Sequence, residues 1–170
     1  MMFASKKIRD LTRAALLLAV LLVLQFATKS FGQFVSGSCV NAVLAIASGM
    51  VSLPYAICIA VLSPFAAFLF GIGPQLFPLT FVIALGNSVY VILLRLLWKK
   101  SSYLAAASAA VVKFLVLYLL VVQLLCKFFA PKAQMLTAMF SWPQLVTALI
   151  GGAIALIILP LLQKADSHQK

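Results

Sequence analysis

From Ala105 to Cys126 the chain runs through 22 residues, AAASAAVVKFLVLYLLVVQLLC, that carry a single charge, Lys113. Such a run is long enough to cross a bilayer, because roughly 20 residues at ~1.5 Å rise span a ~30 Å hydrocarbon core. Backbone polar groups in that environment must be satisfied within the segment, so the run has to be a helix. A charge near the middle of such a helix costs at least ~2.5–3.5 kcal/mol. An internal carboxylate is the common remedy, yet the whole chain holds two acids, Asp10 and Asp166, one in each tail. A charged Lys113 would therefore draw its counter-ion from outside the protein, and a bound anion is the functional reading. The alternatives are a structural hydrogen bond, a neutral amine, or snorkelling to an interface. Snorkelling is a long reach, since about ten residues, roughly 15 Å of helix, separate Lys113 from the nearer end.

The same economy of charge holds throughout. The 170 residues are 65% hydrophobic and 9% charged, with a mean hydropathy of +1.20, where a soluble domain carries about 25% charge. The expected fold class is all-α integral membrane, in one domain over residues 1–170 with no polar segment long enough for a second. A net charge of +11 would suggest nucleic acid in a soluble chain. Here the cations flank apolar runs, so they read as topology signals and contacts with anionic headgroups. Cys39, Cys58 and Cys126 are far apart and read as small apolar residues. The basic start, Lys6, Lys7, Arg9 and Arg13, precedes an apolar run without a convincing small-x-small cleavage site. It is expected to be a retained first helix.

Breaks at Gly, Pro and charge clusters divide the chain into six expected spans, about 11–28, 39–51, 54–70, 76–98, 103–128 and 143–163. With six spans, nine cations fall on one side: Lys6, Lys7, Arg9, Arg13, Arg95, Lys99, Lys100, Lys164 and Lys170. Only Lys29, Lys127 and Lys132 fall on the other. The positive-inside rule then places both termini on the cytoplasmic side of a multi-pass cell-membrane protein. The three outer connections are KSFGQFVSGS, GIGPQLFP and KFFAPKAQMLTAMFSW. All mix Phe or Trp with Gln or Ser. They read either as an interfacial aromatic belt or as lids over an outward-facing pocket.

Catalytic chemistry is missing. The chain has no GxxxxGK[ST] phosphate loop, no HExxH, no paired carboxylates, and one histidine, His168, in the tail. The expectation is no enzyme, no metal and no cofactor, leaving binding, transport or scaffolding. Within the spans, Asn41, Asn87 and Gln123 are candidates either for interhelical hydrogen bonds or for a cavity. Gly86 precedes Asn87, and Tyr90 shares the face of Asn87 one turn on. Ala15 and Ala19 form a small-xxx-small face in the first span, suited to internal packing or to docking another membrane subunit.

These features resemble the substrate-binding S components of energy-coupling factor (ECF) transporters over most of the chain. The resemblance is carried by LTRAALLLAVLLVLQ with Ala15-xxx-Ala19, by GQFVSGSCVNAVL, by the turn from Gly49 to Pro54, and by LSPFAAFLFGIGP and FVIALGNSVYVILL. It departs at Ser63-Pro64, where many members have Ser-Asp. The resemblance implies that Ala15 and Ala19 contact a transmembrane T component. It also implies substrate binding under the outer connections, and two cytoplasmic ATPases driving uptake as the S component topples.

The residues themselves, one cation and several amides with no acid in the spans, suit a small organic anion with a neutral, partly apolar body. A cation such as thiamine would want a carboxylate, whereas pantothenate-, niacin-, lipoate- or biotin-like acids all fit. On this reading Lys113 neutralises the anion while Asn87, Asn41, Gln33, Gln75, Gln123 and Tyr90 line the site and orient the rest. The rival from another class is a membrane scaffold of the rod-shape type, which would assemble with cell-wall machinery. A third option is a facilitator acting without partners.

Overall fold

A computed structural model describes residues 2–167, with side chains from 6 to 166; His168 and Lys170 lie outside the described residues. The described residues form helices and turns with no strand. Helix α1 spans Met2–Thr28, α2 Gly32–Met50, α3 Leu53–Leu69 and α4 Phe77–Leu97. Helix α5 spans Ser102–Leu117 and continues as a π-helix, Tyr118–Leu125, with a last turn at Cys126–Phe128. A short α6, Ala133–Phe140, leads into α7, Trp142–Ser167. Lys6–Met50, Phe77–Leu97, Ser102–Phe128 and Ala130–Asp166 are long and apolar enough to cross a membrane, and Leu53–Leu69 is a shorter apolar helix.

Two expected loops are largely helical. The second span begins at Gly32 rather than at residue 39, after a single 3₁₀ turn at Lys29–Phe31. Gly32 makes the reversal with φ +79°, a value that suits a residue without a Cβ. Beyond it, Gln33–Ser38 contains no proline to interrupt the helix. Gly37, which reads as a loop glycine, instead faces Thr147, whose Cγ2 would lie 3.1 Å from an added Cβ. The last outer connection likewise folds, into α6.

Helix α2 packs against α1, α3, α4 and α7. Its closest neighbour is α7, and glycines make the approach possible. A Cβ on Gly151 would stand 2.5 Å from the Asn41 Cβ and 2.6 Å from the Ala42 backbone nitrogen, and one on Gly49 would strike Leu159. The pairs 37–147, 41–151 and 49–159 keep a constant offset, so α2 and α7 run parallel. Small residues at a helix contact let backbones approach where no hydrophobic effect operates between lipid-facing helices. Ala45, Ala47, Ala56, Ala60, Ala105 and Ala109 are fully buried in the same core.

Both acids lie at the end of the bundle that carries residue 10. Asp166 pairs with Arg13, Asp10 accepts from the Ser52 backbone N–H at 3.3 Å, and Arg95 donates to the Ser48 carbonyl at 2.8 Å. The opposite end carries Lys29, the α3–α4 turn and α6.

Gly151→Ala is expected to lower the unfolding midpoint in detergent by an amount corresponding to about 1–3 kcal/mol, the usual range for overpacking. Ala153→Ser on the exposed face of α7 should leave the midpoint unchanged. Equal midpoints for Gly151→Ala and the unsubstituted protein would show that the α2–α7 contact can open without penalty.

Candidate functional site

Proline at position 64 starts the site. A proline inside a helix removes the bond to the carbonyl four residues earlier, here that of Ala60. Two side chains take the freed oxygen: Ser63 Oγ donates to it at 3.4 Å, and Asn87 Nδ2 reaches it at 3.4 Å. Asn87 Nδ2 also lies 3.5 Å from Ser63 Oγ. With its nitrogen turned toward α3, Asn87 presents its oxygen to Lys113 at 2.7 Å.

Asn41 does the same from α2. Its Oδ1 accepts from Lys113 Nζ at 2.5 Å, and its Nδ2 donates to Thr147 Oγ1 at 3.3 Å. Lys113 Nζ donates in both bonds, so both amide oxygens face it. Lys113 therefore ties α2, α4 and α5 together, with its Nζ also 5.2 Å from the Tyr90 ring centroid. Lys113 is 3% exposed, and among the described residues no carboxylate pairs with it. Both partners are neutral. Tyr90 is fully buried and donates from its hydroxyl to the Ala148 carbonyl at 3.0 Å. It supports the lysine as core and is not part of the cavity wall.

Above these residues a cavity of about 290 Å³ runs toward the Lys29 end. Its polar floor is Asn41, Asn87, Lys113 and Ser63; its apolar walls include Pro64, Ala67, Phe68, Ile83, Met139 and Phe140. From Gln33 to Asn41 it follows one face of α2 for eight residues, roughly 12 Å. All three connections expected on the outer side contribute: Lys29, Gly32 and Gln33 from the first, Ile72, Gly73 and Pro74 from the second, Met139 and Phe140 from the third. The aromatic residues divide between the two readings. Phe68 and Phe140 line the cavity, whereas Phe34 and Trp142 stack at 5.4 Å with exposed faces.

The sequence-based candidates separate accordingly. Lys113, Asn41, Asn87 and Gln33 converge on the cavity. Gln33 donates to the Met139 carbonyl, which Gln144 also reaches at 3.4 Å, so both glutamines hold the end of α6 in place. Gln75 is exposed and bonds locally to the Gly73 carbonyl at 3.4 Å. Gln123 is exposed on the π-helical stretch and donates to the Tyr118 hydroxyl at 3.2 Å. Neither lines the cavity. The i to i+5 spacing of Tyr118 and Gln123 makes them neighbours on a π-helix, which straight α-helical geometry does not anticipate. Ala15 and Ala19 are exposed on α1, with the interior contact taken by Ala14.

Sequence reading missed Gln25, Ser63, Thr80 and Gln144 in the wall. A signal for Ser63 was present, since Pro64 had to leave a carbonyl free. Gln25 is 6% exposed, and its amide oxygen is buried with no hydrogen-bond partner among the described residues. An orphaned acceptor of this kind costs about 1–3 kcal/mol.

Packed apolar helices enclosing a polar-floored cavity define a membrane protein that binds a small ligand. A family model described as "ECF transporter, substrate-specific component" matches residues 9–163. The chain belongs to that family, and with it come a membrane, a T component and ATPase subunits as partners. The family's role is binding rather than catalysis. No curated protein and no solved structure matches the chain.

Asn87→Leu should destabilise the protein by about 1–3 kcal/mol, because it strips Lys113 of one of two acceptors. The same change in a Lys113→Met background should cost less, giving a coupling of about 0.5–3 kcal/mol between the two positions. Additive effects in detergent unfolding would mean that the bond contributes nothing.

Proposed function

We propose that this protein is the membrane subunit that captures a small vitamin-like organic acid at the outer face for ATP-driven uptake. Six spans (α1 to α5 and α7) with both termini in the cytoplasm accommodate this. The shortest, Leu53–Leu69, has 17 residues, the lower limit for a span at roughly 17–25. The parallel run of α2 and α7 agrees with an even number of crossings. The Lys29 end is then the outer face, and the cavity opens there.

The observation that carries the substrate reading is Lys113 at the cavity floor with only neutral acceptors, Asn41 and Asn87, around it. Two amides satisfy hydrogens without cancelling charge. An anion entering the cavity supplies the missing charge, and Lys29 in the mouth draws it in. At about 290 Å³ the cavity lies at the small end of ligand sites, which suits a compact acid. Asn41 and Asn87 position the lysine, while Gln33 keeps α6 over the cavity. Gln75 and Gln123 have no part in this reading.

Docking on the T component falls to the exposed Ala15 and Ala19 face of α1. In the membrane α1 has lipid or a partner on that side, and two alanines four residues apart admit a close helix.

Native mass spectrometry of protein purified in mild detergent should release a stoichiometric small organic acid. Lys113→Met should weaken binding of that acid by at least about tenfold, as loss of a buried charge partner does. Unchanged affinity would remove Lys113 from the site. Independently, Ala15→Leu with Ala19→Leu should abolish co-purification of the T component and ATPases while acid binding persists. Retained assembly would move the docking surface elsewhere.

A further inference from the structure

A second cavity lies on the outside of the bundle. This groove of about 550 Å³ follows α5 from Lys100 and Ser101, just before its first turn, to Val111 and Val112, with Leu97 from the end of α4 beside them. Leu104, Ala107 and Val111 are exposed along it, and their spacing of three and four residues keeps them on one helix face. Ala107 is the small residue of the three and leaves the gap between its larger neighbours. Ser108, also in the wall, spends its hydroxyl hydrogen on the Leu104 carbonyl of its own helix at 2.6 Å. Below the first turn the groove is otherwise aliphatic.

Its mouth is cationic. Lys99 and Lys100 are exposed, and no carboxylate pairs with either among the described residues. The acids of the chain are Asp10 and Asp166, which meet the Ser52 N–H and Arg13. From Ser101 to Val112 is eleven residues, roughly 16 Å of helix. That is close to half of a ~30 Å hydrocarbon core, so the groove runs from the interface to the midplane of one leaflet. Helix α1, which carries the Ala15 and Ala19 face, packs on α2 and α3. The groove is on different helices, α4 and α5.

We infer that this groove binds one anionic phospholipid of the leaflet at the Lys100 end, with the headgroup phosphate on Lys99 and Lys100 and one acyl chain along Leu104, Ala107 and Val111. The charges select the lipid: juxtamembrane lysines attract anionic headgroups, whereas a zwitterionic headgroup brings its own cation to the same place. The groove supplies what a bare lysine pair lacks, an apolar track of leaflet depth. In the orientation proposed above this leaflet is the cytoplasmic one. The inference needs only that the helices lie in a bilayer, and it is independent of the organic-acid reading of the other cavity.

The test uses the full-length protein in mild detergent, stripped of lipid and titrated with phosphatidylglycerol or phosphatidylcholine of identical acyl chains. Native mass spectrometry and thermal shift read the binding. One phosphatidylglycerol should be retained at least about tenfold more tightly than phosphatidylcholine. Lys99→Gln with Lys100→Gln should remove that preference, whereas Lys6→Gln with Lys7→Gln, at the same end of the bundle, should not. Ala107→Phe fills the groove and should weaken retention of phosphatidylglycerol about tenfold while the midpoint of the lipid-free protein stays the same; Val111→Trp is the second variant if that midpoint falls. Equal retention of the two lipids, a preference that survives the Lys99 and Lys100 changes, or retention untouched by both groove-filling variants overturns the site. A midpoint rise with inorganic phosphate alone that equals the rise with phosphatidylglycerol also overturns it, since the lysines would then bind any anion without the groove. Loss of the T component and ATPases on purification of Ala107→Phe, with lipid retention intact, would overturn it in favour of a protein contact.

Discussion

The Lys113 ammonium, shared between the amide oxygens of Asn41 and Asn87, is the interaction on which the arrangement of this bundle turns. It joins three helices at one level and holds the lysine amine at the bottom of a cavity with no carboxylate beside it among the described residues. The two acids that could have quenched it are held far along the chain, by Arg13 and by the Ser52 backbone. Structure and chemistry therefore share the same atoms. Amides suffice to hold the lysine in place with hydrogen bonds alone, without a buried ion pair.

The supports of that lysine are backbone features. Pro64 frees the Ala60 carbonyl, which fixes which way Asn87 turns. Gly151 lets α7 press against the backbone at Asn41 and Ala42, and Thr147 then meets Asn41 from the side. Pro64, one residue after Ser63, thus acquires a role here. Proline supplies an acceptor for Asn87 in place of a side-chain charge, in keeping with a cavity that holds no acid. Farther out, Gln33 and Gln144 both reach the Met139 carbonyl, so the short helix α6 is secured over the cavity by amides from two different elements.

Much of this was legible from residues alone. The helices lie in the apolar runs: α3 and α4 end within a residue of expectation, and the helical run that begins with α5 closes at Phe128. Lys113 stood out because a charge in a long apolar run has few uses. Asn41 and Asn87 were legible as intramembrane amides, though not as the two acceptors of Lys113. Gln75 and Gln123 looked equivalent to them by type and by proximity to the outer end, yet both are exposed and outside the cavity lining. A glutamine near a helix end can satisfy itself locally, as both do, and composition does not distinguish that from a cavity role. The Gly-rich stretch 32–38 read as a loop because glycine serves both turns and close helix contacts; Gly32 does the first and Gly37 the second.

The sequence by itself determined that this chain is a set of apolar helices, and that a lone lysine stands among them with no acid in the same runs. These follow from local facts: run length against bilayer thickness, and the number of acids. Only the tertiary structure decided which polar groups meet. Convergence of Asn41, Asn87 and Lys113 on one cavity depends on helix rotation and depth. Those are set by how glycines and alanines from distant segments pack, a relation between helices that no single stretch of sequence contains.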